Sequence, residues 1–153
     1  MQSDLPHAGR LKILVVEDDP LVSSMVSDAL ASTGFEVTAV PAAEDALGLA
    51  VMDVPFDVLF TDIDLAGSIN GWELAETMRE MRPNLPVAYT SGRAQDNGAH
   101  ARVPDSVFLA KPYSLSAMRS LMRELAAKTV RQAAASLVPA AGDWLGHEPV
   151  VPA

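Results

Sequence analysis

The chain has no cysteine among its 153 residues, which excludes disulfides and thiolate metal sites outright. Basic residues are scarce too: 11 Lys and Arg stand against 20 Asp and Glu, a formal net charge of −9. Nucleic-acid phosphates are bound by clustered cations, and the cations here are scattered, so nucleic acid is not expected as a direct partner. No apolar run approaches the roughly 20 residues that span a bilayer. Residues 1–10 lack the apolar stretch of a secretory signal, so the expectation is a soluble cytoplasmic protein with no membrane contact. What is present is 49% hydrophobic against 20% charged residues, a globular balance in a length suited to one domain with its own core.

Four apolar runs each stop on a chemically capable residue. Residues 11–16 lead to Glu17 and Asp18, residues 58–61 to Asp62, residues 87–90 to Ser91, and residues 107–110 to Lys111. Near-continuous apolar runs mark strands buried on both faces. In an open α/β sheet, ligands bind outside the carboxyl ends of the strands, so these acids, the hydroxyl and the lysine should meet on one edge. Such a set can hold a divalent cation, offer a carboxylate as nucleophile and neutralise an incoming phosphoryl group.

Helical signals fall between the runs. Asp19-Pro20 supplies an N-cap and a first helical position, after which Leu21, Val22, Met25, Val26, Ala29 and Leu30 keep helical spacing until Thr33-Gly34. Residues 35–40 alternate as a second strand, and Pro41 leads into a helix carrying Ala46, Leu47, Leu49 and Ala50. Asn70 with Glu73 reads as a capping-box variant. Leu74, Ala75, Met78 and Met81 are the expected buried face of that helix, which Pro83 ends. Ser114 caps a last helix striped with Leu115, Met118, Leu121, Met122 and Leu125. The order predicts a doubly wound α/β fold with a five-stranded parallel sheet, right-handed crossovers and helices on both faces. Residues 93–105 should hold the helix before the last strand. They contain Asn97-Gly98 and Pro104 and lack Leu, Ile, Met or aromatic residues, so that helix is expected to be short, mobile or absent. Beyond about Ala135, prolines and glycines predict an irregular tail, in which Trp144-Leu145 either docks or stays disordered. Residues 1–10 then form an extension, 11–130 the domain, and 131–153 the end of the last helix and the tail. His7, His100 and His147 show no ligand spacing.

These residues resemble the receiver domain of two-component response regulators, a flavodoxin-like (βα)5 fold, over most of the chain. Ile13 to Pro20 resembles the family's first-strand motif, with Glu17 and Asp18 as the acidic pair. Phe60-Thr61-Asp62 is similar to the phosphoacceptor strand, with Asp62 as nucleophile. Thr90-Ser91-Gly92 resembles the fourth-strand end, and counting from Pro86 puts Ser91 rather than Thr90 at the switch hydroxyl. Phe108 to Tyr113 resembles the fifth-strand motif, which supplies Lys111, a Lys111-Pro112 bond that is cis in the family, and Phe108 at the aromatic switch position. Two departures concern loop geometry. Ala66 stands where many receivers have proline, and the loop to Gly71 is one residue longer than the commonest form.

The resemblance implies Mg²⁺ held by Asp18, Asp62, Glu17 (through water) and the Asp64 backbone carbonyl. It also implies a phosphohistidine donor on a sensor histidine kinase or histidine phosphotransfer protein. Phosphorylation of Asp62 would draw in Ser91, turn Phe108 and change the face formed by the fourth helix, fifth strand and fifth helix, for onward relay or for a downstream protein target. Such a protein is not an enzyme beyond its own phosphorylation and dephosphorylation. Asp64 and Arg93 occupy positions that tune phosphoryl lifetime in the family, and they are read either as an ion pair over the pocket or as two solvated charges. A stand-alone receiver, monomeric or weakly dimeric, is the expectation. Two other readings stand beside it: a haloacid-dehalogenase-type phosphatase using Asp62 and Asp64, and a degenerate receiver acting without phosphorylation.

Overall fold

The structure is a computed structural model that describes residues 10–92 and 102–137. In chain order the elements are β1 (Lys12–Val16), α1 (Pro20–Ser32), β2 (Glu36–Val40), α2 (Ala43–Val51), β3 (Val58–Asp62), α3 (Gly71–Met81), β4 (Val87–Ser91), β5 (Val107–Ala110) and α4 (Leu115–Leu137). The strands form one parallel sheet in the order β2-β1-β3-β4-β5. This is the expected doubly wound architecture, with each of the first two strands starting one residue later than the sequence reading placed it.

Strand alternation sorts the core into two layers. Leu14, Leu59, Val87 and Tyr89 face α2 and α3, where Ala46, Trp72, Leu74 and Met78 complete the packing. Ile13, Val15, Val58, Phe60 and Ala88 face α1 and α4, against Val26, Leu30, Met118, Met122 and Leu125. The predicted caps form. Asp19 Oδ1 accepts from Leu21 N at 2.9 Å with Pro20 beginning α1, Asn70 and Glu73 close a reciprocal capping box on α3, and Ser114 Oγ accepts from Ala117 N at 3.0 Å.

Two stripes differ from their spacing. Leu21 and Met25 keep the period of α1 yet are 74% and 56% exposed, with Met25 lining an open groove beside Tyr113 and Leu115 instead of entering the core. Met81, the last residue of α3, is 40% exposed. The final helix reaches Leu137, a little past the expected end. Most of the 93–105 stretch, the tail with Trp144-Leu145, and all three histidines lie outside the described residues. Of that stretch, Val103 is buried and donates its N–H to Tyr89 Oη at 3.2 Å.

Candidate functional site

The hydrogen-bond ladder continues one step past the strand ends, and this fixes the backbone of the polar residues that follow. Glu17 N donates to Val40 O (3.1 Å), Ile63 N to Thr90 O (2.9 Å) and Lys111 N to Ser91 O (2.9 Å). The side chains therefore emerge on the carboxyl edge of the sheet. Carboxylate oxygens of Glu17, Asp18 and Asp62 all lie within 4.8 Å of one another. Lys111 Nζ bridges two of them, 3.2 Å from Glu17 Oε1 and 3.2 Å from Asp62 Oδ2. The Lys111–Pro112 bond is cis, as the resemblance implies.

Both oxygens of Asp62 are engaged. Oδ2 meets Lys111, and Oδ1 accepts from Asp64 N at 3.1 Å. Burial pushes the Asp62 carboxyl above its ordinary value, against the opposing pull of the Asp64 N–H and the Lys111 ammonium. Glu17 is raised chiefly by burial as well; the Asp19 N–H opposes this and the Asp62 charge adds to it. Lys111 loses hydration, but its two carboxylate partners outweigh that loss and hold it above the usual lysine value. Three close carboxylates facing one ammonium leave uncompensated negative charge, and hard oxygen donors in this arrangement fit Mg²⁺. Glu17, Asp18 and Asp62 are the side chains that would hold it.

Ser91 is buried on the α2–α3 side of the sheet and donates its Oγ–H to Asp64 Oδ2 at 2.8 Å. Phe108 is half-buried on β5, in register with Tyr89 of β4. Arg93 lies outside the described residues, and with it the expected pair with Asp64. Glu17, Asp18, Asp62 and Lys111 are brought together, and Ser91 and Asp64 form a second pair.

Three supports were not read from the sequence. Ala66 N donates to Asp18 Oδ2 at 3.0 Å, so the loop after β3 is tied to the acidic pair through a backbone amide. Ser68 Oγ donates to Glu44 Oε2 at 2.9 Å, anchoring the same loop to the start of α2. Gly71 opens α3 directly against the backbone of Asp62: a Cβ there would lie 2.2 Å from Asp62 O. A glycine at the first position of a capped helix was the one available signal, since alanine would suit the helix better. The two amide and hydroxyl contacts leave no pattern in the sequence.

A parallel sheet in this order, with an acidic cluster and a lysine at its carboxyl edge, defines a receiver-type α/β domain. The chain belongs to the response regulator receiver domain family, which matches it over residues 13–123. It is 28% identical over 116 residues to the transcriptional regulatory protein HprR of Escherichia coli, covering 74% of this chain and 50% of that one. It is 33% identical over 113 residues to the response regulator protein FleR of Pseudomonas aeruginosa, covering 72% of this chain and 24% of that one. The chain thus spans half or less of these two curated relatives. Among solved structures, a response regulator receiver protein from Sinorhizobium medicae superposes with a TM-score of 0.72 at 30% identity, covering 78% of this chain and 97% of that one. The family match covers Asp62-Ile63-Asp64, so that motif lies within a receiver domain. Among the described residues, no helix is long and apolar enough to cross a membrane.

Proposed function

We propose that this chain is a phosphoacceptor: Asp62 takes a phosphoryl group from a phosphohistidine, with Mg²⁺ bound by Glu17, Asp18, Asp62 and the Asp64 carbonyl. The observation that carries the reading is the single cluster of Glu17, Asp18 and Asp62 bridged by Lys111. When bound, Mg²⁺ neutralises charge on the phosphoryl oxygens, which otherwise repel a carboxylate nucleophile. An oxygen of Asp62 forms the new bond to phosphorus, the bond from phosphorus to the donor nitrogen breaks, and the electron pair leaves with the imidazole. Lys111 stands beside the incoming charge, already 3.2 Å from Asp62 Oδ2. Asp64 N and the Lys111 ammonium keep the carboxylate from rotating, so the contribution of the chain is positioning and electrostatics.

A groove of about 500 Å³ beside Lys111, lined by Val22, Met25, Tyr113 and Leu115, supports docking of an apolar helix that bears the donor histidine. Such a partner accounts for the exposure of Met25 on α1. Output is read on the face of β5 and α4, through Ser91 and Phe108, by a relay protein or a downstream target in the cytoplasm. The only reactions promoted are the chain's own phosphorylation and dephosphorylation.

The test is intact mass after incubation with a small-molecule phosphoramidate, with and without Mg²⁺, for wild type and Asp62→Ala. A Mg²⁺-dependent gain of one phosphoryl group, lost in Asp62→Ala, is expected. A folded wild type that gains nothing would favour the phosphorylation-independent module.

A further inference from the structure

We infer that the Asp64 side chain is a latch on Ser91, which holds the switch hydroxyl away from the phosphoryl position until Asp62 is modified. The inference rests on the phosphoacceptor reading and adds to it the control of its switch. Ser91 Oγ donates to Asp64 Oδ2 at 2.8 Å, and Ser91 is 4% exposed. A serine hydroxyl carries one proton, so it serves Asp64 or an oxygen of a phosphoryl group on Asp62, never both at once. The bond it makes now ends on a carboxylate, and charge-assisted hydrogen bonds are roughly twice as strong as neutral ones.

The latch is also placed to feel the chemistry. Asp64 sits two residues from Asp62, and its own N–H donates to Asp62 Oδ1 at 3.1 Å. The two competing acceptors are therefore carried on one short segment of chain. The neighbouring hydroxyl cannot substitute for it. Thr90 is the adjacent residue on β4, so its side chain leaves the opposite face of the sheet, and its Oγ1 is buried with no hydrogen-bond partner among the described residues. Asp64 thereby acts as a positioning residue: it opposes the phosphoryl-engaged arrangement and sets how much partner or donor free energy is needed to reach it.

The experiment is calorimetric titration with beryllofluoride and Mg²⁺, a stand-in for the phosphoryl group, on wild type, Asp64→Ala, Ser91→Ala and the double variant. Removing Asp64 also removes a negative charge, which tightens anion binding whatever Ser91 does, so the readout is the coupling between the two substitutions. Asp64→Ala is expected to tighten binding about tenfold more with Ser91 present than in the Ser91→Ala background. Asp64→Asn, which keeps an acceptor oxygen without the charge, is expected to recover only part of that gain, and it carries the cycle if Asp64→Ala does not fold. Equal tightening in both backgrounds would overturn the latch while leaving the phosphoacceptor reading intact. A folded wild type that binds no beryllofluoride would overturn that reading and the latch together.

Discussion

Replacing Gly71 with alanine sets two physical rules against each other. By helix propensity alone, the change should stabilise the protein, since glycine costs roughly 0.8–1 kcal/mol relative to alanine in a helix. At this position, however, the new Cβ would lie 2.2 Å from Asp62 O and 2.7 Å from Ile63 Cα. Unbonded carbon and oxygen atoms rest about 3.3 Å apart even in favourable contacts, so α3 and the end of β3 must separate by about 1 Å. Neither obstacle is a side-chain tip able to swing aside; both belong to the backbone that carries the proposed acceptor. Overpacking of this kind typically costs about 1–3 kcal/mol, or roughly 4–12 °C of melting temperature for a domain near this size. A shift of about 1 Å in a reacting group costs on the order of 10²-fold in rate. The assay pairs a thermal melt with the rate of mass gain from a phosphoramidate donor. Gly48→Ala is the internal control: it lies inside α2 with nothing within 4 Å of its Cβ position, and it should gain about 0.5–1 kcal/mol with the rate unchanged. A Gly71→Ala protein that melts at or above the wild-type temperature and phosphorylates at the wild-type rate would refute the reasoning.

Two further outcomes are expected. Thr90→Val keeps the shape of the side chain and removes a buried hydroxyl with no partner among the described residues, so the urea midpoint should rise by the equivalent of about 1 kcal/mol; a fall would mean the hydroxyl is satisfied. Asp62→Asn tests the raised carboxyl in metal-free protein. A folded-state pKa above the unfolded one means the native state binds more protons, so stability is lost as pH rises through that window. The variant should therefore be more stable than wild type near about pH 7, with the gap closing towards about pH 4; a gap that widens on acidification would reverse the sign and reject the account.

The elements and the cluster were largely legible because their signals are local. A run of apolar residues that stops on an acid, a hydroxyl or a lysine states both the strand and its site end. Asp19-Pro20 and Asn70 with Glu73 declare helix starts through side chains that bond their own first turn. Less visible was which face each stripe would serve: Leu21 and Met25 keep the period of Val22 and Val26 whether the surface they meet is core or solvent. The supports of the site were hidden for a different reason. Ala66 acts through its amide, Gly71 through the absence of a side chain, and Ser68 through an acceptor 24 positions away in the chain. Backbone donors and close approaches are set by tertiary placement, and residue type says little about them. Tyr89 illustrates the same limit, since its ring packs on Trp72 with centroids 4.6 Å apart while its hydroxyl takes the Val103 N–H.

The place of β5 in the sheet has its own consequence. Among the described residues it is an outermost strand, paired with β4 over four residues, and it delivers Lys111. Opening is easiest at such margins and can occur while the centre stays closed. When β5 parts from β4, the ammonium leaves Glu17 and Asp62 although β1, β3 and the acids themselves have not moved. The readiness of the cluster for chemistry is thus bounded by the grip of its weakest margin. A hydrogen-exchange rate measured at the Lys111 amide would report the fraction of molecules with the charge in place better than any global melting curve.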